Sequence, residues 1–195
     1  MQRREYLIAT GSVAAGASLA GCLGGATGTL ATQVTDQPGD ISDFESCVVT
    51  ITELRIKPAS DDGDDGDDGN ETDGNGTDDT DDESAEETYE VDDAEADLVE
   101  LQDGNTQLVD EQELDAGDYE YLKIAVSNVE ATLNDGSDAD VSTPGDAPLK
   151  FNQSFEIRED TRTVFTADFT PVKQGQSGGY VLQPVADGTE VSYEE

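Results

Sequence analysis

The chain has 195 residues, nine Lys and Arg against 47 Asp and Glu, and a formal net charge of −38. That charge opposes compaction in dilute buffer and argues against nucleic acid as a partner, whose phosphates would meet a surface of their own sign. His and Trp are missing, which excludes Ser-His-Asp and Cys-His catalysis and His-ligated metal sites, and weakens any aromatic platform for sugars.

The chain opens Met1-Gln2-Arg3-Arg4-Glu5-Tyr6-Leu7, and an apolar, small-residue run follows over 7–20. A transmembrane helix needs about 20 predominantly apolar residues, so this run suits a signal h-region instead. The Arg3-Arg4 pair resembles the twin-arginine export signal. Leu19-Ala20-Gly21-Cys22 resembles the lipobox of bacterial and archaeal lipoproteins. That resemblance implies cleavage of 1–21 and a lipid on Cys22, leaving seven basic and 46 acidic residues. The competing reading is an uncleaved amphipathic N-terminus with a chance cysteine. It requires the arginine pair, the apolar run and the terminal cysteine to coincide.

Residues 22–28 form a Gly-rich tether. Residues 29–34 predict a first strand, closed by Asp36-Gln37-Pro38-Gly39-Asp40, where Asp36 is expected to cap the turn. Cys47-Val48-Val49-Thr50-Ile51-Thr52 predicts a second strand, and its apolar parity slips between Ile51 and Leu54, which indicates a bulge or twisted edge. From Ser60 an Asp/Gly-rich stretch begins. The expectation is a disordered acidic insert at about 59–88, too poor in apolar residues to offset its ordering entropy. Short apolar segments then follow at 96–101, 107–109 and 119–133. Leu149, Phe151, Phe155 and Ile157 share one parity and predict one half-buried strand, and Phe165, Ala167 and Phe169 repeat the pattern before Gly179-Tyr180-Val181-Leu182. A weak helix is conceivable only over 92–99. The segments and intervening turns predict an all-β fold: a single β-sandwich, Ig-like or transthyretin-like in its Greek-key connection, over 29–195.

The acid excess extends beyond the insert into these segments. At about 1 M salt the Debye length is about 3 Å and self-repulsion is screened, so the composition points to a halophile. An ordinary protein with one acidic insert is the other reading.

Several pieces occur in a recognisable order: Val34-Thr35-Asp36 with Pro38, Val49-Thr50-Ile51-Thr52, Asp97-Leu98-Val99-Glu100-Leu101, Leu114-Asp115-Ala116-Gly117-Asp118-Tyr119, Ala167-Asp168-Phe169, and Gly179-Tyr180-Val181-Leu182-Gln183-Pro184-Val185. In that order they resemble an uncharacterised prokaryotic, haloarchaeal-type family of lipoprotein domains of unknown function. The resemblance implies a small surface-exposed β-sandwich with no assigned activity, here departing from the family in its long insert. The Leu-x-x-Gly-x-Tyr piece also resembles transthyretin-like and carboxypeptidase-regulatory sandwiches. There the glycine allows a turn and the tyrosine packs at the start of a strand.

Candidate sites are few. Asp36, Asp97 and Asp168 lie near strand ends and, if convergent, would suit a cation or an acid/base pair. No register between Asp61 and Asp82 fits a calcium-binding EF-hand loop. Asn70, Asn75 and Asn152 begin N-x-[ST] sequons. Cys47 has no intramolecular disulfide partner once Cys22 is lipidated, and it opens a β-branched strand as a small buried residue would. Tyr119, Tyr121 and Tyr180 have the spacing of core packing rather than of a sugar site.

The sequence therefore suggests a non-enzymatic, lipid-anchored surface module. It would be exported on Arg3-Arg4 and tethered by Cys22 to the outer face of the cytoplasmic membrane. It would bind an envelope protein or glycan, or play a structural role, with no cofactor and no metal assigned. The alternative is a solute- or cation-binding lipoprotein associated with a transporter, although such receptors usually need two lobes.

Overall fold

A computed structural model describes residues 25–36, 39–59, 85–175 and 178–194. It is an all-β sandwich of two sheets. The strands are β1 Thr27–Thr35, β2 Phe44–Pro58, β3 Glu87–Asp97, β4 Gln107–Asp115, β5 Gly117–Leu133, β6 Asp138–Ala139, β7 Val141–Ser142, β8 Leu149–Phe151, β9 Phe155–Ile157, β10 Arg162–Lys173, β11 Tyr180–Pro184 and β12 Glu190–Glu194. The first sheet runs β4-β1-β10-β11-β7, with β12 also paired to β10; the second runs β3-β2-β5-β6, with β8 and β9 also paired to β5. Among the described residues the only helical turns are short 3-10 turns, such as Asp40–Asp43.

The second sheet is built on two long strands. β2 and β5, of 15 and 17 residues, pair antiparallel along almost their whole length. The expected parity slip is a bulge: the β2 register shifts between Ile51 and Glu53 against both β3 and β5. Opposite it, Asp93 adopts a positive φ of 41°, a conformation aspartate tolerates better than most residues.

Three expectations are corrected. Residues 96–101 are not a strand: β3 ends at Asp97, and residues 98–101 turn, with the Glu100 and Leu101 N–H groups bonded to the carbonyls of Asp97 and Leu98. The conceivable helix over 92–99 is instead the end of β3, to Asp97, and the start of that turn, because pairing with β2 overrides a weak local helical pattern. The insert is shorter than expected at its far end, since β3 already begins at Glu87; residues 60–84 lie outside the described residues.

The core lies between the sheets. Leu30 and Val34 of β1, Val49, Ile51 and Leu54 of β2, Leu122 and Ile124 of β5, and Phe165 and Phe169 of β10 are all essentially inaccessible. Phe151 packs edge-on against Phe165 and Phe169, Phe155 against Phe165, and Tyr119 stacks on Phe155 at 5.2 Å. The Tyr119 hydroxyl donates to the Asp115 carbonyl at 2.9 Å, which ties the start of β5 to the turn before it. Gly117 in that turn has no positive φ and open space where a Cβ would sit. The tyrosine contact holds as the resemblance implied; a backbone demand for glycine there does not.

Candidate functional site

β1 runs parallel to β10, in register from Thr29↔Arg162 to Thr35↔Asp168. On its other edge β10 is covered in two parts: Arg162–Thr166 pairs with β12 and Phe169–Lys173 with β11. β11 and β12 thus behave as one interrupted strand, whose excursion over residues 185–189 lies opposite Ala167 and Asp168. The Val185 N–H donates to the Asp168 carbonyl, and the Thr189 hydroxyl to the Val185 carbonyl, closing that loop on itself. A Cβ at Gly188 would overlap the Asp168 carboxylate. These features bury Asp168, an acid in mid-strand, to 0% exposure.

Asp36 follows Thr35 and so comes beside Asp168. It is 1% exposed, and neither of its carboxylate oxygens has a hydrogen-bond partner among the described residues. Part of the turn at 37–40 that it was expected to cap, Gln37 and Pro38, lies outside the described residues. Burial, and then the neighbouring Asp168, push its carboxyl up to about 8: a charge taken from water beside a like charge is held in its neutral form. Close by, Gly39 approaches Thr170 so tightly that a Cβ would meet the Thr170 hydroxyl. That hydroxyl is buried and also without a partner among the described residues. The Thr32 hydroxyl is orphaned too, but it lies four residues back along β1, about 13 Å away.

Asp97 is placed differently. Its Oδ1 accepts the Cys47 N–H at 3.0 Å and the Val99 N–H at 3.1 Å, so it caps the turn after β3. Cys47 is fully buried, and burial together with Asp97 and Asp36 pushes its thiol up to about 12. The thiol is therefore protonated and shielded, the opposite of an activated nucleophile. The three acids thus gather at one end of the sandwich, but only Asp36 and Asp168 have the character of a site. Asn152 is exposed between β8 and β9. Arg3, Arg4, Cys22, Asn70 and Asn75 lie outside the described residues.

The model of a domain of unknown function, DUF4382, matches residues 27–184. The chain belongs to the DUF4382 family. This meets the sequence resemblance at the level of an uncharacterised domain family, and the match covers the sandwich almost from end to end. No curated protein matches the chain.

The DUF4382 sandwich also carries a feature that sequence reading missed. Arg55, Lys123 and Lys150 stand in one row across β2, β5 and β8, as the register pairs Arg55↔Lys123 and Lys123↔Lys150 show. Next to them the Lys150 ammonium sits 3.6 Å over the buried Tyr121 ring, and Lys57 faces Tyr121 across β2 and β5. Glu86, just before β3, inserts its carboxylate here: its side chain is 4% exposed, 2.6 Å from the Lys123 ammonium and 2.7 Å from the Tyr121 hydroxyl. Burial alone would raise its carboxyl, yet the hydrogen bonds from Lys123 and Tyr121 hold it below the usual range. Tyr119 and Tyr180 are buried in the core, as expected, whereas Tyr121 packs on the outer face under Lys150.

Proposed function

We propose that this DUF4382 chain is a lipid-anchored β-sandwich displayed on the outer face of the cytoplasmic membrane of a halophile, with a non-enzymatic binding or structural role in the envelope. One observation carries the reading: Arg3-Arg4, the apolar run 7–20 and Leu19-Ala20-Gly21-Cys22 stand in signal order, with a folded domain beginning at Thr27. Four residues lie between Cys22 and Thr27, and the five Cα–Cα steps span at most about 18 Å. Ala26 accepts a hydrogen bond from the Ala116 N–H at 2.7 Å. An anchored chain would therefore hold its β4–β5 turn towards the headgroups.

The sheet edges support a soluble, displayed domain. The edge strands β3 and β4 read ETYEVDDAEAD and QLVDEQELD, and charges at such positions discourage strand addition by other chains. The non-enzymatic part is supported by the lack of histidine and by the high thiol of Cys47.

The test is labelling of intact cells, in native salt, with a membrane-impermeant lysine reagent and cross-linker. The wild-type domain should label without lysis, pellet with membranes and cross-link to an envelope component. Cys22→Ser should leave the membrane, and replacing Arg3 and Arg4 by lysine should leave the domain unlabelled until lysis. A wild-type domain that labels only after lysis contradicts the proposal.

A further inference from the structure

The half-buried strand expected over 149–157 is broken in the structure. Phe151, the end of β8, pairs with Leu122, and Phe155, the start of β9, pairs with Tyr119. Three residues, Asn152, Gln153 and Ser154, therefore stand against two of β5, Glu120 and Tyr121, and form a bulge. In an unbroken strand Gln153 would share the buried parity of Phe151 and Phe155; here all three bulge residues are exposed. The ends of the bulge are fixed, because Phe151 and Phe155 are buried in the aromatic cluster with Phe165 and Phe169. β8 and β9 pair only with β5 among the described residues, so the bulge lies on a sheet edge with room for a large group.

Asn152-Gln153-Ser154 is an N-x-[ST] sequon. Other loop asparagines are engaged by their own turns: Asn105 donates its amide to the carbonyls of Glu100 and Gln102, and Asn134 to that of Ser42. The bulge instead bonds the Gln153 amide to the Ser154 carbonyl, and leaves the Asn152 amide and the Ser154 hydroxyl without a protein partner among the described residues. We propose that Asn152 is the attachment site of one N-linked oligosaccharide. The amide nitrogen bonds to the anomeric carbon of a lipid-phosphate-linked glycan. The bond from that carbon to the phosphate oxygen breaks, the phosphate leaves with the electron pair, and the amide gives up one proton. The Ser154 hydroxyl completes the acceptor that the transferase reads. Because the sequon is exposed, it is reached without opening the sheet, and the glycan then covers an edge that another strand could otherwise join. The proposal rests on the export reading above, since such sequons are used in exported chains.

The experiment is peptide mapping by mass spectrometry of the full chain, extracted by detergent from native cells. Cleavage after Lys150 and Arg158 releases residues 151–158, which hold Asn152 and no other asparagine. The wild type should give this peptide with the added mass of one glycan. Asn152→Gln and Ser154→Ala should lose that mass, whereas Ser154→Thr, which keeps the sequon, should retain it. Asn128→Gln, at an exposed asparagine outside any sequon, should retain it too. An unmodified 151–158 peptide from a chain that carries lipid on Cys22 would overturn the proposal and leave the anchor standing. The same peptide from an unlipidated chain that still begins at Met1 would overturn both. Added mass that survives Asn152→Gln or Ser154→Ala would also overturn it.

Discussion

Asp36 directly follows Thr35, the last residue of β1, which pairs with Asp168 on the parallel strand β10, and both acids are shut away from water. Such a pair cannot hold two negative charges cheaply, so Asp36 keeps its proton up to about pH 8. The carboxyl is raised in the folded chain. Its contribution to stability is therefore fully present below about pH 4 and is lost as pH rises through about 8. In chelator-treated buffer Asp36→Asn should remove this dependence. It should stabilise the fold by a few kcal/mol at pH 8 and leave it little changed at pH 4, on the order expected for a shift of this size. Urea midpoints of the two proteins, measured from pH 4 to 8 at fixed salt, check it; parallel curves would contradict it.

The Glu86–Lys123 pair has the opposite sign. A carboxyl held below its usual range stabilises above the ordinary glutamate value of 4.5 and loses that contribution as pH falls through the folded value. Glu86→Gln should cost about 2 kcal/mol at neutral pH, because it removes a charge-assisted bond to Lys123 and weakens that to Tyr121. The gap between the two proteins should close on acidification. A double-mutant cycle with Lys123→Met measures the coupling.

Gly28 on β1 faces the turn between β9 and β10. A Cβ there would overlap the Arg158 carbonyl and press on the Ile157 side chain. Since the clash is with backbone, Gly28→Ala should destabilise by about 2–3 kcal/mol. Gly117→Ala, with open space around it, should change little. Thermal unfolding of the two variants side by side distinguishes them.

Cys47 is buried and its thiol is pushed up to about 12. In the folded chain it should resist iodoacetamide at pH 8 over hours, and it should react at the rate of a free thiol in denaturant. The alkylated mass, followed by time course, reads this directly. Rapid modification of the native chain would mean that the start of β2 opens readily.

Much of this fold was legible because strand parity survives in the sequence. Phe151, Phe155, Phe165 and Phe169 announce their faces and meet in one cluster. The slip after Ile51 announces its bulge. Asp36 and Asp97 do stand at strand ends as expected, but Asp168 lies in the middle of β10, and the roles of the three could not be read from sequence. Asp97 is satisfied by two N–H groups of its own neighbourhood, whereas Asp36, read as a turn cap, has no such partner among the described residues. That difference depends on the parallel β1–β10 pairing, a contact between residues more than 130 positions apart. The Arg55–Lys123–Lys150 row was illegible for the same reason. Each lysine or arginine alone reads as an outward residue of a half-buried strand, and only the register of β2, β5 and β8 aligns them.

The central claim is that this sandwich is tethered by a lipid on Cys22, and intact mass tests it most directly. Protein extracted by detergent from membranes should have a mass that begins at Cys22 and carries added lipid, and the Cys22→Ser variant should be unlipidated and either unprocessed or released. An unlipidated wild-type chain that still carries Met1 would contradict the account.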